Sequence, residues 1–124
     1  MSYVDGYLVA VPRKHLDVYK KMARLCAKVW VDHGALEYSE SFGDELKPKG
    51  FTLTLPKVMN LKRGEVVVFG WIVYRSKRQR DSVNKKVMAD PRVQKMMKQK
   101  QPFKLERMAY GGFKPFVSRS NPEN

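Results

Sequence analysis

The sequence predicts an α+β fold in which helices pack on an antiparallel sheet. Two observations predict it. Stretches of strand and helix character follow one another as strand, helix, strand, strand, helix, strand, which is one βαβ unit after another. The chain has 124 residues, the size of one compact domain. A third observation, strands that are apolar on both faces, adds an expectation about assembly.

The first element is "YVDGYLVAVP", Tyr3–Pro12, β-branched and aromatic and closed by a proline. A helix follows, because Leu16, Tyr19, Ala23, Cys26, Ala27 and Trp30 recur at three- and four-residue steps and Gly34 supplies a stop. "LEYSESFGDEL" alternates, with Leu36, Tyr38, Glu40 and Phe42 on one face of a second strand. Residues 45–64 hold two prolines and two glycines and read as a long connection with a short edge strand at 51–55. "EVVVFGWIVY", Glu65–Tyr74, is the clearest strand of the chain.

Ser76 followed by Gln79 forms a capping box, so a helix runs over Lys77–Ala89 with Val83, Val87 and Met88 turned inward. Asp90-Pro91 is a second N-cap with proline in the first turn, opening a short helix that carries Val93, Met96 and Met97. "FKLERMAYGGFKPFV" closes the fold as a last strand with a double glycine, Gly111-Gly112, that allows a bulge or a close strand approach. The domain is thus 1–117, with a polar tail over 118–124. The topology is a ferredoxin-like βαββαβ sandwich.

In a sheet covered on one side only, strands alternate apolar and polar. Here Val66, Val68, Ile72 and Tyr74 share one face, and Val67, Phe69, Trp71 and Val73 share the other. The first strand repeats this, with Val9 and Val11 against Val4, Leu8 and Ala10. Two helices cover one face, so the expected remedy for the other is a second copy across a two-fold axis, forming a homodimeric α/β barrel.

Composition narrows the class. A hydrophobic fraction of 43% fits a folded protein. The longest apolar run, 66–74, spans nine residues, against about 20 for a membrane-spanning helix. The first residues have no basic leader before their apolar stretch, so no signal peptide is expected. A single cysteine, Cys26, excludes an internal disulfide and fits a cytoplasmic location. The net charge of +13 is unevenly spread: residues 1–50 hold 8 Lys/Arg against 7 Asp/Glu, whereas 51–124 hold 17 against 5. Such asymmetry fits either a phosphate-bearing partner or a need for solubility.

Taken together, "YVDGYLVAVP", "GEVVVFGWIVYRSKRQRD", "VMADPR" and "RMAYGGF" closely resemble the YbaA-like family of small bacterial proteins of unassigned function, over roughly residues 3–117. The resemblance implies a ferredoxin-like protomer in the dimeric α/β-barrel superfamily, and no established reaction.

Two functional readings follow. The first is a small, anionic molecule bound inside the barrel by Trp71, Arg107, Tyr110, Glu40, Asp5 and Tyr7. In it Arg107 fixes the ligand's charge and Trp71 packs on its apolar part. A buried Arg107 needs a carboxylate, with Glu40 or Asp5 available; the plainer reading is a structural ion pair. The alternative is electrostatic nucleic-acid binding through 75–100, which holds ten Lys/Arg and two acids; Lys77, Arg78, Lys85, Lys86 and Arg92 would contact phosphates. Base stacking on the sheet is disfavoured, since "RGEVVVFGWIVY" lacks the aromatic signature of RNA-recognition modules. His33, beside Asp32, is the one general-base candidate, though a histidine at a helix end more often faces the negative end of the helix dipole. Two histidines, one cysteine and no metal-ligand spacing give no expectation of a metal or other cofactor.

Overall fold

A computed structural model of the chain describes residues 2–48, 50 and 53–122. Four strands, β1 (Tyr3–Pro12), β2 (Glu37–Phe42), β3 (Glu65–Tyr74) and β4 (Met108–Phe113), form one sheet in the order β2-β3-β1-β4. Every neighbouring pair is antiparallel. With α1 (Leu16–Asp32), α3 (Lys77–Ala89) and α4 (Pro91–Met97) between them, this is the ferredoxin-like α+β sandwich expected.

The helix ends form where the sequence places them. Gly34 takes φ +115, a left-handed conformation that closes α1. Ser76 Oγ accepts from the Gln79 amide at 3.0 Å. The Gln79 carbonyl oxygen reaches one residue further back than a capping box requires, accepting from the Arg75 amide at 2.6 Å. Gln79 Nε2 meanwhile donates to Gly34 O at 2.7 Å, tying the start of α3 to the end of α1. Asp90 caps α4 through the Arg92 amide at 2.8 Å.

Three expectations need correction. Of the edge strand at 51–55, Phe51 and Thr52 lie outside the described residues, while Leu55 opens a single helical turn, α2 (Leu55–Val58). The cause is local: Thr54 caps the turn and Pro56 sits in its first positions, where proline is pre-set for a helix. The double glycine makes no bulge, because pairing runs unbroken from Val4↔Phe113 to Val9↔Met108. Gly112 instead makes room for the Tyr3 ring, which a Cβ would strike. In the helices, Met88 and Met97 are exposed rather than turned inward.

The main core lies between the sheet and the helices. Val9, Val11 and Val68 meet Val29, Val83, Val87 and Val93, all nearly solvent-free. Val29 belongs to α1's inner face although the sequence stripe passes over it; it stands three residues after buried Cys26. The opposite sheet face is covered only in part, with Ala10 and Val67 buried on it. Phe69 is 46% and Phe113 59% exposed there. Leu55 of α2 borders an apolar groove with Leu8, Phe69 and Phe113.

Candidate functional site: a tyrosine-lined cavity under the helices

Alternation along the strands decides which predicted residues can meet. Tyr7 pairs with Gly70 on β3 and with Tyr110 on β4, and Glu40 pairs with Gly70 from β2. Residues directly opposite point to the same face, so Tyr7, Glu40 and Tyr110 all face the helices. Asp5 follows, two residues from Tyr7. Gly70 is indispensable to this row: the Tyr7 ring lies across it so closely that a Cβ would overlap the phenol.

These four residues line a cavity of about 420 Å³ between the sheet and the helices. Its floor is formed by Tyr7, Val9, Tyr19 and Cys26, all buried. Its exposed lining residues, Met88 at 50%, Tyr110 at 56% and Gln101, mark where it opens. Trp30, Met96 and Phe103 complete apolar walls, with Phe103 edge-on to Tyr19 at 5.7 Å between ring centroids.

Polar groups sit at two places in this cavity. At one, the Glu40 carboxylate accepts from the Tyr19 hydroxyl and, at 2.8 Å, from the Tyr38 hydroxyl. At the other, Asp5, 2% exposed, accepts from Arg80 Nη1 at 2.7 Å and from the Tyr110 hydroxyl at 2.8 Å. Arg80 also packs over the Tyr3 ring at 4.9 Å. Among the described residues the buried Tyr7 hydroxyl makes no hydrogen bond of good geometry, although Tyr38 and Glu40 stand close enough to perturb it.

Burial and the Glu40 charge push the Tyr7 and Tyr19 phenols well above their ordinary range, and burial with the neighbouring Tyr7 and Glu40 does the same to Tyr38. The Cys26 thiol is raised to about 11 by burial and then by Glu40. Tyr110 is raised to about 12, by burial and its bond to Asp5. These phenols and this thiol therefore stay protonated at neutral pH and act as donors, so the cavity is an uncharged, aromatic chamber with carboxylates at its polar ends.

The six residues were expected to meet inside a two-sheet barrel, whose interior is the sheet face away from the helices; Asp5, Tyr7, Glu40 and Tyr110 face the helices instead, and the other two lie apart from them. Trp71 is on the opposite sheet face, where its indole N–H donates to Glu37 Oε2 at 3.1 Å and its ring lies 5.2 Å from Phe69. Arg107 sits in a single 3-10 turn, Leu105–Arg107, ahead of β4. Its carboxylate is Glu65, at 2.6 Å, and neither Glu40 nor Asp5. Its remaining N–H groups donate to the Met59 and Asn60 carbonyls at 3.0 and 3.1 Å. Arg107, the residue on which the expectation of an anionic ligand rested, is thus outside this cavity.

His33 also lies outside the cavity lining. Its partner is Asp90, 2.8 Å from Nε2, rather than adjacent Asp32. Arg92 joins the same junction, bonding Asp90 and Asp32 at 2.8 Å each. Arg92 is thereby occupied, whereas Lys77, Arg78, Lys85 and Lys86 are exposed on α3. Among the described residues no three His, Cys, Asp or Glu converge on a metal-sized site, and no helix is long and apolar enough to cross a membrane.

Arg80 is the site residue that sequence reasoning counts on the wrong side. It stands three residues before Val83 and seven before Val87, both buried, which puts it on the inner stripe of α3 rather than on its wet face.

The family of proteins of unknown function DUF1428 matches residues 2–105. Uncharacterized protein YbaA of Escherichia coli (strain K12) is 39% identical over 117 residues, covering 94% of this chain and 98% of that protein. YbaA of Shigella flexneri matches to the same extent. Among solved structures, Rv0793 from Mycobacterium tuberculosis aligns with a TM-score of 0.56 at 13% identity, over 97% of this chain and all of that one. At that identity the likeness shows the fold alone. The YbaA-like resemblance of the sequence thus holds, and the chain belongs to the DUF1428 family.

Proposed function

We propose that the protein binds a small, neutral or cationic aromatic molecule in the cavity between its sheet and its helices. The observation that carries this is the cavity of about 420 Å³ itself, walled by aromatic side chains and by Glu40 and Asp5, with Tyr7 in its lining, whose buried hydroxyl makes no hydrogen bond of good geometry among the described residues. A buried hydroxyl without a partner costs roughly 1–3 kcal/mol, and a ligand that bonds to it recovers that energy. The aromatic walls and the Glu40 and Asp5 carboxylates favour a flat or positively charged ligand over an anion.

The test is ligand-detected NMR with phenol, benzylamine and benzoate as probes. Phenol and benzylamine bind, benzoate binds at least tenfold more weakly, and Tyr7→Phe weakens phenol. Equal binding of all three, or of none, overturns the reading.

The uncovered sheet face supports the second part of the proposal, a homodimer. Register puts Val4, Leu8, Ala10, Val67, Phe69 and Phe113 on that face, and none of the strand residues sharing it is Lys or Arg. In a chain of net charge +13, the strands of this face carry none of the surplus positive charge, and their acids are Glu37 and Glu65. A face of four strands measures roughly 30 by 15 Å, so two copies bury on the order of 1,000 Å², the lower bound for a specific interface. Native mass spectrometry at micromolar protein reads out twice 14.4 kDa if this holds, and a monomer if it does not.

A further inference from the structure

A second cleft, separate from the tyrosine cavity, lies where β1 ends and β3 begins. It measures about 770 Å³, and six of its ten lining residues are Lys or Arg. They come from three segments: Arg13 and Lys14 after β1, Lys62 and Arg63 before β3, and Lys104 and Arg107 before β4. The one acid in the lining is Glu65. Arg107 neutralises it, and that ion pair, with the nearby Lys62, holds the Glu65 carboxyl below its ordinary range. Arg13, Lys14, Lys62, Arg63 and Lys104 make no ion pair among the described residues.

The cleft is also braced. The Arg13 amide donates to Gly64 O at 2.7 Å, joining the first two segments. Arg107 joins the third to the second through Glu65 and to the preceding turn through the Met59 and Asn60 carbonyls. The Lys62 amide donates to Glu65 Oε1 at 2.8 Å. Bonds of this kind fix the backbone that carries the cations, so the like charges are held together although they repel. Such an array is relieved by a multivalent anion.

We propose that this cleft binds a small molecule bearing two or more phosphate groups. Its shape and lining favour this over an extended nucleic acid. The cations converge on one concavity, and its lining holds no aromatic ring on which a base could stack. The basic residues of α3 do not extend it, because Lys77 and Arg78 follow the far end of β3, roughly 30 Å away along a ten-residue strand.

Inorganic tripolyphosphate is the probe, titrated by calorimetry into the full chain at about 150 mM salt, where surface charges beyond about 8 Å are screened. One variant is Arg13→Gln/Arg63→Gln; the control is Lys77→Gln/Lys85→Gln, which removes the same charge from α3. All four residues are exposed, so both variants keep the fold, and amide NMR spectra verify this. The cleft pair weakens tripolyphosphate at least tenfold and the α3 pair less than twofold, with amide shifts at residues 13, 14, 62, 63 and 64. Equal loss in both variants, or no saturable binding at this salt, overturns the proposal. So does tighter binding of a single-stranded RNA dodecamer that the α3 pair weakens, which would place phosphate recognition on the helix.

Discussion

The same strands present two faces that differ in how they treat polarity. On the helix side, Asp5 and Tyr7 are buried and Glu40 is partly so, and the carboxylates find donors in Arg80, Tyr110, Tyr19 and Tyr38. On the other side, the strands expose Phe69 and Phe113, and the two acids of that face are exposed Glu37 and part-buried Glu65, the latter held by Arg107. A buried charge is tolerable only where its partners are fixed, and three helices fix them on one side alone. The uncovered side is mainly apolar and small, with Glu37 and Glu65 as the acids of its strands, and the exposure of its apolar residues is relieved by any apolar surface without needing matched donors. The difference separates a face built to hold its own polar groups from one built to be covered.

The strongest way to break this contrast is to strand the buried charge. Arg80→Met leaves Asp5 with neutral hydroxyl donors such as Tyr110 and without the guanidinium that pairs its charge. Removing one member of a buried pair costs about 3–5 kcal/mol, so urea unfolding should show a loss of that size. Asp5→Asn in the same chain removes the stranded charge and restores most of the stability. A loss below about 1 kcal/mol would mean that the pair is solvated, and that the helix side is wetter than its burial implies.

On the other face the corresponding change is Phe69→Asp. Because Phe69 is 46% exposed, the protomer should lose little stability. The proposed interface would meet itself across two new carboxylates, and the dimer should weaken at least a hundredfold by sedimentation. A variant that stays dimeric at micromolar concentration would show that the apolar face is not where copies meet.

How much of this was legible differs by residue. Local signals could be read directly: Ser76 and Asp90 cap helices, Gly34 stops one, and the strand order follows from their patterns. The two-faced character of β3 was equally plain, and it already places Trp71 away from Ile72 and Tyr74. Grouping Trp71 with Tyr110 needs the register of β4, which only the Tyr7↔Tyr110 pairing supplies. Ion-pair partners were hidden for a similar reason. Asp5 and Arg80 lie 75 residues apart, and Glu65 and Arg107 lie 42 apart. No short-range pattern tells which carboxylate reaches which guanidinium. Arg80 itself was legible from its spacing to Val83 and Val87, but a run of basic neighbours masks that signal.

The cover over the polar face is itself pinned by charge, which gives a smaller test. Asp90 bonds Arg92 and His33 where α1, α3 and α4 meet, and those bonds, Arg92's first, hold its carboxyl well below the ordinary range. A carboxyl lowered in the folded state stabilises above its unfolded pKa, about 4, and that contribution disappears as pH falls through the folded value. Acid unfolding should therefore steepen below about pH 4 in the parent chain. Asp90→Asn should be less stable at pH 7 and flatter on the acid side. Identical acid profiles would detach this junction from the stability of the cover.

The smallest effect tests the cavity most directly. Tyr7→Phe deletes a buried hydroxyl that makes no hydrogen bond of good geometry among the described residues while leaving the ring over Gly70. In nearly every buried tyrosine the same change loses a hydrogen bond and destabilises. Here it removes a desolvation penalty, so the unligated protein should gain about 1 kcal/mol, or several degrees in Tm for a domain near this size. The sign is the informative part. A gain means that the fold tolerates a strained hydroxyl for a purpose outside its own stability, which is what a ligand contact is. A loss of similar size would mean that the hydroxyl is satisfied in solution by water, and the cavity would then need Glu40 alone to define its polar end.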